Sequence, residues 1–354
     1  MTKELFHSIH PNFKWNAFHL NRKQLLEIAE EYSKSNENFL KETGLFLLNW
    51  FDDNDFVIVQ TSGTTGKPKR LHVKKQAMVN SALASAVFFG LSEGNSALCC
   101  LPVKYIAGKM MLVRALVLGL EIDLVEPKSN PMDNNEKYYD FVAMVPLQVE
   151  NSLDKLDQIK QLIIGGAKVN PDLAEKLKTK KCEAYETYSM TETVTHIAAK
   201  RVGVEVFTVL PDVIISLDNR ECLVIDAPKL NSDLIITNDI ACIVSPTEFI
   251  WKGRVDNVIN SGGIKLFPET IEEKIYGRMS NRFFIDSIPD KQLGEKVVLI
   301  VEGVENKLEE SVFDTLDKYE RPKVVFYVAK FLETETGKIK RKEIVQQLLI
   351  NNPA

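Results

Sequence analysis

At 354 residues, 45% apolar and 26% charged, the chain is long enough for two domains and has the composition of a globular protein. A net charge of −5, with Lys and Arg spread throughout, gives no electrostatic case for nucleic acid as the main partner. Five cysteines with no C-x-x-C pair, and five histidines of which only His7 and His10 form a close pair, argue against a disulfide framework and against a zinc site.

The first fifteen residues contain no apolar run of the kind a signal peptide needs. The most apolar stretch, Met110–Val125, is interrupted by Arg114, Glu121 and Asp123 and is too short to span a bilayer. A cytoplasmic protein without membrane insertion is expected. Helical spacing over Arg22–Phe39 (Leu25, Leu26, Ile28, Ala29, Tyr32) predicts a first helix, with a second through Leu45–Phe51. A short β-rich run, 56–60, leads straight into Thr61–Arg70, and an Ala-rich helical pattern follows from Asn80 to Leu91, ending at Gly90.

Strand-like and helical segments then alternate: 96–103, 109–118, 121–126, 141–146, 153–166 and 171–179. Such alternation predicts βαβ units and a mainly parallel sheet, an α/β fold. From about residue 205 the texture changes to short alternating segments, with Asp218-Asn219 as a hairpin turn, the pattern of a small antiparallel barrel or sheet over about 205–253. A polar, Gly-bearing stretch from Trp251 to Lys265 separates this region from a final β–α–β segment. The expected domains are 1–253 and 254–354.

Thr61-Ser62-Gly63-Thr64-Thr65-Gly66-Lys67-Pro68-Lys69 is the most informative run. Two glycines permit close backbone approach, four hydroxyls offer donors, and two lysines supply positive charge, a combination suited to cradling polyphosphate. It is not a Walker loop: two residues, not four, separate Gly63 from Gly66, and Pro68 stands where a magnesium-binding Ser or Thr would be. Alone, the run reads equally well as a polar strand-to-helix turn.

Other segments decide between these readings. Leu101–Gly108, Gly165-Gly166-Ala167, Tyr188-Ser189-Met190-Thr191-Glu192, Thr237-Asn238-Asp239, Gly253-Arg254-Val255-Asp256, Ser261–Lys265 and Thr336-Gly337-Lys338-Ile339-Lys340-Arg341 follow in that order. Together with the loop they resemble the adenylate-forming superfamily of acyl-CoA synthetases, peptide-synthetase adenylation domains and luciferases, over roughly four-fifths of the chain. The resemblance implies a large N-terminal domain with a β-barrel-like subdomain and a small mobile α+β C-terminal domain. It implies an AMP-forming acid–CoA ligase that uses ATP, Mg²⁺ and CoA to activate a small-molecule carboxylic acid.

Residue by residue, the resemblance places Thr61 to Lys67 on the phosphates, Gly165, Gly166 and Ala167 against adenine, and Tyr188 stacked on it, with Ser189 replacing the usual glycine. Thr191 is matched to the α-phosphate, Glu192 to magnesium, Asp239 to the ribose hydroxyls, Arg254 to the ribose, Asp256 to the hinge pivot and Lys338 to the catalytic lysine. A single carboxylate plus phosphate oxygens suits a hard cation such as Mg²⁺. Tyr105 and Gly108 fall in the segment that lines the acyl pocket, where Lys104-Tyr105 replaces an aromatic–His pair.

Only 60 residues precede the phosphate loop. This short front end resembles short bacterial relatives of the o-succinylbenzoate–CoA ligases of menaquinone biosynthesis. Arg114, together with Lys109 beside the acyl segment, could supply the cation that a second substrate carboxylate needs, and Arg suits bidentate pairing. Another aryl or acyl acid, loading of a carrier protein, and a non-catalytic relative remain open, as does a homodimer.

Overall fold

The computed structural model describes residues 5–60, 70–306, 308–333 and 339–351. Strands β1 (Lys14–Trp15) and β2 (Phe18–His19) precede helix α1 (Arg22–Ser33). A capping box starts the helix: Asn21 Oδ1 accepts from Gln24 N at 3.0 Å, and Gln24 Oε1 accepts from Asn21 N at 2.9 Å. The expected helix to Phe39 is cut short, because Ser35 turns its hydroxyl onto the Glu37 amide and the chain restarts as α2 (Asn38–Trp50). Strands β3 (Phe56–Gln60) and β4 (Arg70–Lys74) pair antiparallel, with Gln60 opposite Arg70; the phosphate-loop residues Thr61–Lys69 between them lie outside the described residues.

Helix α3 (Lys75–Phe89) begins earlier than its Ala-rich pattern suggests and ends on Gly90, whose φ of +65° only glycine adopts at little strain. Next come β5 (Ser96–Cys99), α4 (Ile106–Leu118), β6 (Glu121–Leu124), β7 (Tyr139–Met144), α5 (Pro146–Asn151), β8 (Ile159–Ile164), α6 (Pro171–Lys178), β9 (Glu183–Ser189), β10 (His196–Arg201) and β11 (Val206–Val209). The run expected as a strand to Pro146 ends at Met144, because proline has no N–H for a ladder and instead opens α5.

Strand order is β2-β1-β6-β5-β7-β8-β9-β10-β11, and the pairs β6–β5, β5–β7, β7–β8 and β8–β9 are parallel. The expected α/β fold with a mainly parallel sheet is therefore present. Side chains alternate across the sheet: Cys99, Phe141, Ala143 and Ile163 join a core beneath α3 and α4, while Leu98, Val142, Met144, Leu162 and Ile164 join a second core beneath α5 and α6. Both faces are thus covered, as parallel strands require.

Beyond β11 lie β12 (Ile214–Leu217), β13 (Cys222–Asp226), β14 (Ile235–Ser245) and β15 (Glu248–Arg254). Asp218 and Asn219 do sit in the β12–β13 turn, which closes over four residues with Glu221 at φ +66°. Two compact units emerge: Met1–Ile215 with Ile225–Ile235 and Val244–Glu248, and Ser216–Val224 with Ile236–Ile243 and Phe249–Ala354.

The second unit contains β16 (Ile259–Ser261), β17 (Ile264–Leu266), α7 (Pro268–Ile275), β18 (Phe283–Asp290), β19 (Gly294–Glu302), β20 (Val324–Val328) and α8 (Arg341–Asn351). Its sheet runs β17-β16-β19-β18, with β20 parallel to β19. Ile271 and Ile275 of α7 pack with Ile285, Val297 and Leu299, whereas Ile344 and Val345 of α8 pack with Phe284, Val298 and Ile300. This is the α+β arrangement expected of the C-terminal region. Arg341 is held in two bonds to Glu272, at 2.7 and 2.9 Å.

The base of the β3–β4 pair is fixed by a lysine buried at the start of α3. Lys75 Nζ donates to Asp52 Oδ1 at 2.8 Å and to Asp52 O at 3.0 Å, and its side chain has no exposed surface. Burial pushes the Asp52 carboxyl upward, but bonds from Lys75, Asn54 and Asn49 outweigh it and hold the group at about 2. Asp52→Asn should leave Lys75 buried without a counter-charge and lower stability by roughly 3 kcal/mol at neutral pH. Because the folded value lies below the unfolded 3.8, this contribution is present above pH 3.8 and disappears as pH falls toward 2. Urea titrations of both proteins should therefore converge across that window; a constant offset down to pH 2 would refute the pairing.

Candidate active site

In a doubly wound sheet ligands bind outside the carboxyl ends of the strands, where the strand order reverses. Here the chain passes from β5 through α4 to β6 on one side, and β7 lies on the other side of β5. The crevice between β5 and β7 is therefore the predicted ligand position. Leu101–Gly108 follows β5, Gly165–Ala167 follows β8 and Tyr188–Glu192 ends β9, so three segments far apart in sequence share this edge of the larger unit.

Gln148, which sequence reading passed over, staples the two strand ends. Its Nε2 donates to Cys100 O at 2.9 Å and to Lys128 O at 3.0 Å, while Oε1 accepts from Val145 N at 3.2 Å. Gly108 is required by packing: a Cβ there would come within 2.4 Å of Pro102 O, so α4 can lie against the preceding loop only with glycine at this position. Tyr105, the residue before α4, is 40% exposed, with Lys104 Nζ 5.7 Å from its ring centroid.

Gly165 and Gly166 form a ledge bare of side chains. A Cβ on Gly165 would meet Thr187 Oγ1 at 2.9 Å, and Gly166 has φ +83°. Ala167 is exposed beside them. Tyr188 packs edge-on to Phe207, ring centroids 6.0 Å apart, and Ser189 is exposed opposite His196 in the β9–β10 register. After Ser189 the chain reverses through a tight turn, Thr191–Thr193, pinned by the Thr193 hydroxyl on Met190 O and Thr195 O. Glu192 is exposed on this turn, and its backbone oxygen accepts from Asn231 Nδ2 at 3.3 Å. The next residue but one, Val194, is held at φ +67°, a strained conformation for a β-branched residue and one found where geometry is imposed. The side chain of Thr191 lies outside what the structure describes.

Arg114 and Lys109, expected together beside the acyl segment, are placed differently. Lys109 turns back onto the loop before α4. Arg114 is 1% exposed, its guanidinium 5.9 Å from the Phe141 ring centroid, with Nε 3.4 Å from Ser85 Oγ and Nη2 3.5 Å from His196 Nδ1. Because a guanidinium only donates, His196 Nδ1 must accept, so Nε2 carries the proton and points it at Ser85 Oγ, 3.2 Å away. Ser85 in turn donates to Ser81 O at 2.9 Å. Burial, then the Arg114 charge, hold His196 far below the ordinary histidine value, and it is neutral. Burial lowers Arg114 to about 10, still charged at neutral pH. Among the described residues no carboxylate pairs with it. Neither Ser85 nor His196 carried a sequence signal.

On the second unit, Asp239 accepts from Trp251 Nε1 at 3.2 Å. Asn238, where the family has glycine, accepts from Arg220 at 3.0 Å and donates to Asp256 Oδ2 at 3.3 Å; Arg254 donates to the same oxygen at 3.0 Å. The segments Thr237-Asn238-Asp239 and Gly253-Arg254-Val255-Asp256 are therefore linked by a polar chain. Lys338 lies outside the described residues.

The nucleotide and magnesium expected here can be tested against the residues. The side-chain-free ledge at Gly165–Gly166 suits a planar base, and Glu192 offers an exposed hard oxygen ligand. Among the described residues no three His, Cys, Asp or Glu are grouped to hold a metal by themselves, and a magnesium shared between one carboxylate and phosphates needs no such group. No helix among the described residues is long and apolar enough to cross a membrane.

A parallel sheet with this switch point, and a phosphate-loop sequence between β3 and β4, define an adenylate-forming fold. The family model for AMP-binding enzymes matches residues 19–232, and the chain belongs to that family. It is similar to the 2-succinylbenzoate–CoA ligase of Lactococcus lactis, with 25% identity over 83% of this chain and 71% of that protein. Among solved structures it resembles an acyl-CoA synthetase (AMP-forming)/AMP-acid ligase II-like protein from Dyadobacter fermentans, 33% identical, covering 91% of this chain and 98% of that one, with a TM-score of 0.61. The o-succinylbenzoate coenzyme A synthetase of Bacillus subtilis, solved with ATP and magnesium ion, shares the fold at 18% identity, with a TM-score of 0.70 over 81% of this chain and 69% of that one.

Proposed function

We propose that the chain is an AMP-forming acid–CoA ligase whose acid carries a second anionic group, with 2-succinylbenzoate as the preferred substrate. The observation that carries this reading is Arg114: a charged guanidinium buried among Ser85, His196, Met111 and Phe141, with no carboxylate paired to it among the described residues. An isolated buried cation is costly, and an anionic substrate group is the natural compensation. Relatives bearing the 2-succinylbenzoate–CoA ligase name support the same acid.

Attack of a carboxylate on the ATP α-phosphate brings two anions together, so catalysis rests on positioning and charge neutralisation. Glu192 would hold magnesium, which would supply charge neutralisation at the phosphates. The phosphate-loop hydroxyls and Lys67 hold the polyphosphate, Thr191 takes the α-phosphate, and Lys338 neutralises charge as pyrophosphate leaves. Asp239, oriented by Trp251, takes the ribose hydroxyls together with Arg254. The thiol of CoA then attacks the acyl-adenylate carbonyl and AMP departs. Residues 254–354 form the mobile part in this reading, turning at Asp256 between the two steps.

The test is pyrophosphate release with ATP, Mg²⁺ and CoA over a panel of 2-succinylbenzoate, benzoate, acetate and a long-chain acid. Selective turnover of 2-succinylbenzoate is the expected result. Turnover of benzoate in preference would keep the ligase and discard the second anion; silence across the panel would count against the ligase itself.

A further inference from the structure

The ammonium of Lys109 lies inside the protein, 8% exposed, on the fourth residue of α4. It donates to Val103 O and, at 3.0 Å, to Lys104 O, and it lies 5.4 Å from the centroid of the Phe46 ring of α2. The backbone N–H of the same residue donates to Tyr105 O at 3.2 Å, and Tyr105 N closes the turn onto Pro102 O at 3.1 Å. Three consecutive carbonyls, from Val103 to Tyr105, therefore each accept a hydrogen bond from Lys109. The segment has no strand or helix partner to give it shape, and an ammonium with three donors is the group that replaces one. Gly108 completes the fit by letting Pro102 O approach the helix. What remains on the outside is Lys104 and the exposed ring of Tyr105.

We infer that Lys109 is the positioning residue of the acid-recognition loop, holding the Val103 and Lys104 carbonyls so that Tyr105 is fixed beside the crevice between β5 and β7. The inference rests on the ligase reading above for its kinetic consequence, though not for its structural one. Lys109 touches neither nucleotide nor reacting atoms in this assignment; it acts through the loop and should govern acid affinity, leaving ATP affinity and turnover largely alone.

The charge on Lys109 adds a signature that a merely structural residue lacks. Burial lowers its proton affinity to about 8, and the charge of Glu42 on α2 partly offsets this. Of the neighbouring titratable groups, Lys104 and Tyr105 are exposed on the loop, and the Cys99 thiol of β5 donates to Gly108 O and is pushed up to about 12 by burial. Above about pH 8 the ammonium loses its proton and grips the carbonyls less strongly. Global stability moves the other way. A lysine whose folded value lies below its unfolded 10.5 destabilises when charged, so stability rises as pH passes from 8 to 10.5. Alkaline loss of acid affinity is thus separable from unfolding.

The experiment uses the full chain as wild type, Lys109→Met and Glu42→Gln. In Lys109→Met the KM for the acid should rise about 10- to 100-fold, with KM for ATP and kcat within about threefold, and the rise of acid KM above pH 8 should vanish. Glu42→Gln keeps both carbonyl bonds and should shift that alkaline rise to lower pH. Hydrogen exchange of the amides over 101–108 should be faster in Lys109→Met whether or not any acid is turned over. Unchanged exchange overturns the inference outright, and so does a parallel loss of ATP affinity and kcat with acid KM unmoved. Faster exchange in Lys109→Met, with wild type turning over no acid, would overturn the ligase reading alone. If Lys109→Met fails to fold, an unshifted alkaline rise in Glu42→Gln still rejects the proposal.

Discussion

Lys338→Ala is expected to lower the rate of adenylate formation by about 10²–10³ while leaving thiol transfer from supplied acyl-adenylate within a few-fold of wild type. One preorganised charge aimed at the developing phosphate charge contributes on that scale. The split between half-reactions follows from the chemistry. Pyrophosphate departure builds negative charge that a lysine can neutralise, whereas thiol attack on an adenylate expels AMP and has no pyrophosphate to stabilise. The described residues flanking the lysine have bonds of their own: Glu333 and Ile339 form an antiparallel bridge, Lys340 N donates to Leu332 O at 2.8 Å, and Arg341 is tied to Glu272. Separate assays of pyrophosphate exchange and of CoA acylation from synthetic adenylate measure the two steps. Equal loss in both would reject the assigned role.

Arg114→Met should produce the opposite pairing of effects: weaker catalysis and a sturdier protein. Two charge-assisted bonds to a substrate anion are together worth about 3–4 kcal/mol, so kcat/KM for 2-succinylbenzoate should fall about 10²–10³. A monocarboxylate has no group to lose and should be turned over no worse than by wild type. Stability should rise by about 1–3 kcal/mol, because the substitution removes a buried cation that has no carboxylate partner among the described residues and retains the apolar packing against Phe141. Arg114→Lys is not conservative here, since an ammonium cannot reproduce the fork that spans Ser85 and His196. A urea midpoint that falls in Arg114→Met would show that the guanidinium is structural.

Much of the architecture is readable in one dimension, because local rules dictate it. The alternation from β5 to β9 follows from apolar runs broken by helical spacing, and Gly90 marks the end of α3. Among the boundaries that moved, the supposed helix to Phe39 ended early because one serine hydroxyl competes for a backbone amide within a run of otherwise good helix formers. Of the site, the motif-bearing residues are legible through resemblance: Gly165, Tyr188, Glu192 and Asp239 stand in recognisable strings. The residues that orient others are not. His196 reaches Arg114 across 82 positions and Ser85 across 111, and Gln148 reaches Cys100 across 48. No local period records such pairings. Lys109 is a different failure: its partners are five and six residues away, yet a lysine in the first turn of a helix ordinarily faces water, and only the fold of α2 over it seals it in.

The reversal of direction after β9 has a kinetic consequence. Every earlier parallel neighbour in the larger sheet must wait for a crossover before it can pair, and the β5–β7 crevice joins residues more than 40 apart. The turn that carries Glu192 closes instead between adjacent antiparallel strands, with Ser189 opposite His196. Loop-closure entropy grows with separation, so the turn that carries Glu192 is entropically the easier to assemble and the β5–β7 crevice the harder. A destabilised variant therefore loosens the β5–β7 crevice before it loses the shape of the turn that carries Glu192.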